Sequence, residues 1–145
     1  MRRTVIALVI SALALVGVLA ANAATAKTVK FEVALKGTNE KPAAPASNKG
    51  KVELTLNTTT GRVCWDFKLA KIDGKPAQAH IHKGKAGVAG NVVVPFGASY
   101  KRQGCTSAAK SLVKAILKSP GSYYVNVHNA KHPAGAMRGQ LTRGA

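Results

Sequence analysis

The chain has 145 residues, with 22 lysines and arginines against five acidic residues and a formal net charge of +17. That length holds one domain with its own core. So basic a balance points to acidic partners such as anionic lipid, wall polymer or polysaccharide, while five carboxylates with no evident acid/base couple argue against hydrolase chemistry.

Residues 1–26 read as a signal peptide. Arg2 and Arg3 precede an apolar run from Val5 to Ala20, and no further charge comes before Lys27. Ala21-Asn22-Ala23 and Ala24-Thr25-Ala26 both offer the small-x-small pattern of a cleavage site, so removal is expected after Ala23 or Ala26. Residues 27–145 then form the mature domain, secreted to an extracellular or periplasmic location. No second apolar stretch suggests a transmembrane anchor once the signal is gone.

The remainder alternates as strands do. Val29 to Leu35 opens. A loop with Pro42 and Pro45 spans Glu40 to Lys49. Lys51 to Leu56 and Arg62 to Leu69 flank Thr58-Thr59-Thr60-Gly61 as a hairpin. In the second arm Val63, Trp65, Phe67 and Leu69 face inward, which puts Cys64 on the other face. Export favours pairing of the two cysteines, and a Cys64–Cys105 disulfide is expected to pin an outer loop to this strand. Ala77 to His82 and Val92 to Phe96 are further strands, joined by Gly84-Lys85-Ala86-Gly87-Val88-Ala89-Gly90. A strand rather than a helix follows those glycines, so the segment reads as a tight β-connection needing positive φ and not as a phosphate loop.

Thr106 to Lys118 breaks the alternation. Leu112, Val113, Ile116 and Leu117 recur at helical spacing, with Thr106 or Ser107 as cap and Pro120-Gly121 as stop. Tyr123 to His128 and Ala136 to Thr142 close the chain. The expected fold is mostly β, a Greek-key sandwich or flattened barrel of seven to eight strands with one short crossover helix.

All four histidines lie in or beside two of these strands. His80 and His82 are two apart and share one face, about 6.6 Å apart along the strand. His128 shares a face with Asn126 and Tyr124, leaving Val125 and Val127 for the core. If the two strands are neighbours, three imidazoles converge on one point, a donor set suited to copper or zinc. The competing reading has these histidines bonded to loop carbonyls as structural groups. His132, beside Pro133 in a turn, is expected to be exposed. Arg138 is expected to pair with Asp66 or Asp73, or to lie exposed. The lysines fall in different segments, and no basic helix with interleaved aromatics appears, so no specific nucleic-acid partner is expected.

Ala79-His80-Ile81-His82 with Gly84, Gly87, Gly90 and Val92-Val93-Val94, then Tyr123-Tyr124-Val125-Asn126-Val127-His128, Pro133-Ala134-Gly135 and Arg138-Gly139-Gln140-Leu141, together resemble the CHRD (chordin-type) domain family. The likeness runs from about Lys27 to Leu141. It implies an exported β-sandwich-like module in which Gly87, Gly90, Asn126 and Arg138 belong to the structural motif. In animals such modules sit in a secreted antagonist of growth-factor signalling, which implies a protein-binding role. Many members carry an acidic residue where this chain has Ala136, and a proline where it has Asn91. The His-x-His strand with a third histidine is also similar to the copper side of Cu/Zn superoxide dismutase, although the bridging and zinc-ligand set of that enzyme has no counterpart here. The leading expectation is a non-enzymatic module that binds a protein or an anionic surface polymer. The alternative is a copper or zinc protein using His80, His82 and His128, with superoxide-type redox activity a remote third option.

Overall fold

The computed structural model describes residues 28–143, so the expected signal peptide over residues 1–26 lies outside the described residues. Eight strands follow one another: β1 (Thr28–Lys36), β2 (Lys49–Asn57), β3 (Arg62–Lys71), β4 (Pro76–Lys83), β5 (Val92–Pro95), β6 (Gln103–Ser107), β7 (Tyr123–Asn129) and β8 (Met137–Gln140), with helix α1 (Lys110–Lys118) between β6 and β7. They form one sheet in the order β5-β4-β7-β8-β1-β2-β3-β6, every pair antiparallel. The sheet curls into a nearly closed barrel.

Closure is made by the segment between β5 and β6. Tyr100 and Phe96 donate their backbone N–H groups to Ala77 and Ala79 on β4, while Phe67 on β3 donates to Arg102. The segment thereby bridges the open side of the sheet from β4 to β3. Phe96 stacks on Trp65 at 4.4 Å between centroids, and the Trp65 indole N–H donates to the Lys101 carbonyl at 2.9 Å. Phe31, Val33 and Leu35 on β1, Val52, Leu54 and Leu56 on β2, and Val63, Trp65 and Phe67 on β3 fill the interior with Ala79, Ile81, Val125 and Val127. Strict alternation puts each of these on one face, so the hydrophobic pattern alone sets the register.

Three expectations need correction. Gln103–Ser107 is itself a strand, with Cys64 and Cys105 directly opposite in register; their disulfide ties two neighbouring strands and does not tether an outer loop. Thr106 and Ser107 therefore belong to β6. The helix starts only at Lys110, behind Ala109 and without a side-chain cap, and is held by burial of Val113, Ile116 and Leu117. Finally, in the glycine loop only Gly87 adopts positive φ, at +80°; Gly90 is needed because a Cβ there would stand 1.7 Å from the Lys83 carbonyl oxygen.

Candidate metal centre

The outward face of β4, β7 and β8 carries a polar layer made by alternation: His80 and His82, then Tyr124, Asn126 and His128, then Arg138 and Gln140. Such a face would ordinarily meet water. Here two loops cover it. The Gly84–Gly90 connection supplies the Gly90 carbonyl to His82 Nδ1 at 2.8 Å, the Val88 carbonyl to Arg138 at 3.1 Å and the Gly84 carbonyl to Gln140 at 2.8 Å. From the opposite side the loop after β1 brings Glu40, whose carboxylate accepts from Arg138 Nε at 2.5 Å, and Asn48, which donates to the Ala136 carbonyl at 3.0 Å. Glu40, Asn48, His82, Asn126 and Arg138 are all buried.

Within this layer β4 and β7 are direct neighbours, with His80 opposite Asn126 and Gln78 opposite His128. The three imidazoles meet. Their ring centroids are 5.5 Å (His80–His82), 5.1 Å (His80–His128) and 5.9 Å (His82–His128) apart. One ligand nitrogen from each lies within 4.8 Å of the other two. Nitrogens around a tetrahedral ion stand about 3.3 Å apart, so the rings must draw in by roughly an ångström to share one.

The hydrogen bonds decide which nitrogens are free. His128 Nδ1 donates to the Pro133 carbonyl at 2.9 Å, as His82 Nδ1 does to Gly90. Each bond fixes the tautomer with the proton on Nδ1 and the lone pair on Nε2. Nε2 of His128 and Nδ1 of His80 are buried with no hydrogen-bond partner. Nε2 of His82 is buried too and makes no hydrogen bond of good geometry; the Asn126 amide, its own Oδ1 also unpartnered, is the polar side chain that influences it. Buried polar atoms without partners are costly, and a ring held by a carbonyl while its other nitrogen points into a shared space is how metal-ligating histidines are oriented. Burial pushes His80 down to about 4, helped by the two neighbouring imidazoles, and burial likewise lowers His82 and His128. All three rings are therefore neutral at pH 7, the form that binds a metal. The donor set fits copper or zinc.

A model of the CHRD domain matches residues 31–141. The chain belongs to the CHRD domain family. No curated protein and no solved structure matches it. In this CHRD domain the motif residues Gly87, Gly90, Asn126 and Arg138 all sit at the polar layer: Gly90 lets the loop lie close enough to hold His82, and Asn126 is the register partner of both His80 and Arg138.

Arg138 is neither exposed nor paired with Asp66 or Asp73. Those carboxylates are taken by Arg102 and by Lys131. Its partner is Glu40, whose carboxylate also occupies the space that a side chain at Gly135 would fill. Burial raises the Glu40 carboxyl above its ordinary value and Arg138 opposes the rise. His132 is not exposed either; it is half-buried with Nε2 3.5 Å from Asp73. Two participants were given no role from the sequence. Tyr124 stacks on His82 at 4.9 Å, and its hydroxyl accepts the Gly90 N–H at 3.1 Å; alternation with His128 was the available signal. Glu40 gave none, because it lies in a proline-rich loop far from Arg138 in the chain.

Proposed function

We propose that this CHRD domain is an exported, non-enzymatic metal-binding module that holds a copper or zinc ion through His80, His82 and His128. The supporting observation is the set of three neutral imidazoles, each with one buried nitrogen lacking a hydrogen bond and each offering a ligand nitrogen within 4.8 Å of the other two. A bound ion would satisfy all three at once. Such an ion supplies Lewis acidity or, for copper, redox capacity; the chain's own part is to orient the rings through Gly90 and Pro133 and to cover them with the glycine loop. Export is supported by the disulfide and by the Arg2–Ala26 segment in the sequence.

Calorimetric titration of the chelator-treated protein with copper and zinc tests the reading. Stoichiometric binding is expected from the parent and none from the His80→Ala, His82→Ala, His128→Ala triple variant. Equal binding by both would end the proposal. Copper-loaded protein is expected to show no superoxide turnover, and turnover would move the chain into an enzyme class.

A second reading rests on charge: with five acidic residues among 145, the surface favours an anionic cell-surface partner. Retention on an acidic polymer that weakens with salt is its expected sign.

A further inference from the structure

One line of residues can be followed across seven strands by register. Pro95 lies opposite His80, His80 opposite Asn126, Asn126 opposite Arg138, Arg138 opposite Lys36, Lys36 opposite Lys49, and Lys49 opposite Lys71. Its middle members, His80, Asn126 and Arg138, belong to the covered polar layer. The last three, Lys36, Lys49 and Lys71, lie outside the covering loops and are exposed.

Like charges directly opposite on neighbouring strands repel. Elsewhere on the same face the repulsion is compensated. Lys51 and Lys68 are also opposite one another, but each holds a carboxylate, Glu32 at 2.8 Å and Glu53 at 2.7 Å. Among the described residues no acid pairs with Lys36, Lys49 or Lys71. Placement of the third lysine also needs a special device. Register passes from Gly50–Leu69 to Lys49–Lys71, leaving Ala70 as an extra residue in β3. Without that bulge Lys71 would follow Leu69 onto the partly buried face; the bulge re-aims it outward into the row. Three lysines without a carboxylate partner thus stand in line on neighbouring strands, which are spaced about 4.8 Å apart.

We propose that Lys36, Lys49 and Lys71 bind a linear anionic polysaccharide, one carboxylate-bearing sugar to each lysine, with the chain laid across β1, β2 and β3. Of the two lysine rows only this outermost one is uncompensated: the next row, Ala34–Lys51–Lys68, is paired with Glu32 and Glu53 beyond it, so a single strand fits the face better than a broad anionic lipid surface. Helix α1 carries the competing set, Lys110, Lys114 and Lys118, which is exposed and equally unpaired. Those side chains recur every four residues along one helix face, about 6 Å apart along the axis, a wider spacing than that between neighbouring strands. This inference rests on the second, charge-based reading above and names its location and ligand.

Immobilised polygalacturonate is the probe, with phosphatidylglycerol vesicles as a parallel arm and salt varied in both. The protein is expected to bind the polymer at low salt. The Lys36→Gln, Lys49→Gln, Lys71→Gln variant is expected to bind roughly tenfold more weakly with a shallower salt dependence, and the Lys110→Gln, Lys114→Gln, Lys118→Gln variant as the parent does. No retention of the parent in either arm overturns the charge-based reading itself. Retention that is unchanged in the sheet variant, or lost equally in the helix variant, overturns the lysine row alone. Binding to vesicles in preference to the polymer overturns the choice of a polysaccharide.

Discussion

Glu40 and Arg138 pair in the interior at 2.5 Å although ninety-eight residues separate them, and both side chains are almost fully buried. The pair clamps the loop after β1 onto β8. Arg138 also lies over the Tyr124 ring, 4.3 Å from its centroid, while Tyr124 stacks on His82. The ion pair is thus linked through one aromatic ring to a candidate metal ligand.

Removing one member leaves a buried charge without compensation. Arg138→Ala or Glu40→Gln is expected to cost about 3–5 kcal/mol of folding stability, and a double Glu40→Leu, Arg138→Met replacement to recover most of it. Urea denaturation of the three variants checks this. Single losses under 1 kcal/mol would mean that water or other donors already satisfy the pair.

The metal-free protein is expected to lose stability as pH falls from about 6.5 toward 4. His80 is lowered to about 4 by burial first and by His128 and His82 second, and His82 and His128 are lowered chiefly by burial. The unfolded chain then binds more protons than the folded one in that window, so the stability present above pH 6.5 drains away on acidification, by about 1–2 kcal/mol from His80 once its partial exposure to solvent is allowed for. Thermal midpoints measured at pH 7, 6, 5 and 4 should show the fall. A His80→Asn, His82→Asn, His128→Asn variant should show a flatter profile, and matching profiles would refute the assignment.

Cys64 and Cys105 close a loop with a sequence separation of 41 residues. Loop closure of that length is worth about 4 kcal/mol in the chain-entropy model. A Cys64→Ala, Cys105→Ala variant should unfold at correspondingly lower denaturant, yet its candidate metal site lies on other strands and should keep its affinity for zinc. Loss of zinc binding in a folded variant would contradict that independence.

Gly90→Ala should disturb the site more than the fold. The new methyl meets the Lys83 carbonyl and must push away the loop whose carbonyl holds His82 Nδ1. Metal affinity is expected to fall about tenfold or more, as for loss of a hydrogen bond that orients a ligand. Gly121→Ala, where nothing lies within 4 Å, is the control and should bind as the parent. Equal affinities in both variants would show that the loop does not position the ring.

Most of the fold was legible because its physics is local. Alternation placed seven of the eight strands and assigned Val125 and Val127 to the core, and His80 and His82 to one face. The missing strand, Gln103–Ser107, contains no large apolar side chain; it is a strand because β3 offers it a ladder, and no pattern in five small and polar residues could say so. The helix start failed for the same reason, since Thr106 and Ser107 have cap-like chemistry but were already committed to pairing.

The amino-acid order by itself determined the periodicities, the glycine turns, the unusual basic excess and the residues that mark the CHRD family, all of which act over a few neighbouring positions. Which distant groups meet was decided only in three dimensions. Adjacency of β4 and β7 brought the three histidines together, burial matched Glu40 to Arg138, and a single bulge set Lys71 in line with Lys36 and Lys49. Strand order and loop placement follow from closing one sheet around a shared apolar interior, a balance struck over the whole chain that no short window of residues contains.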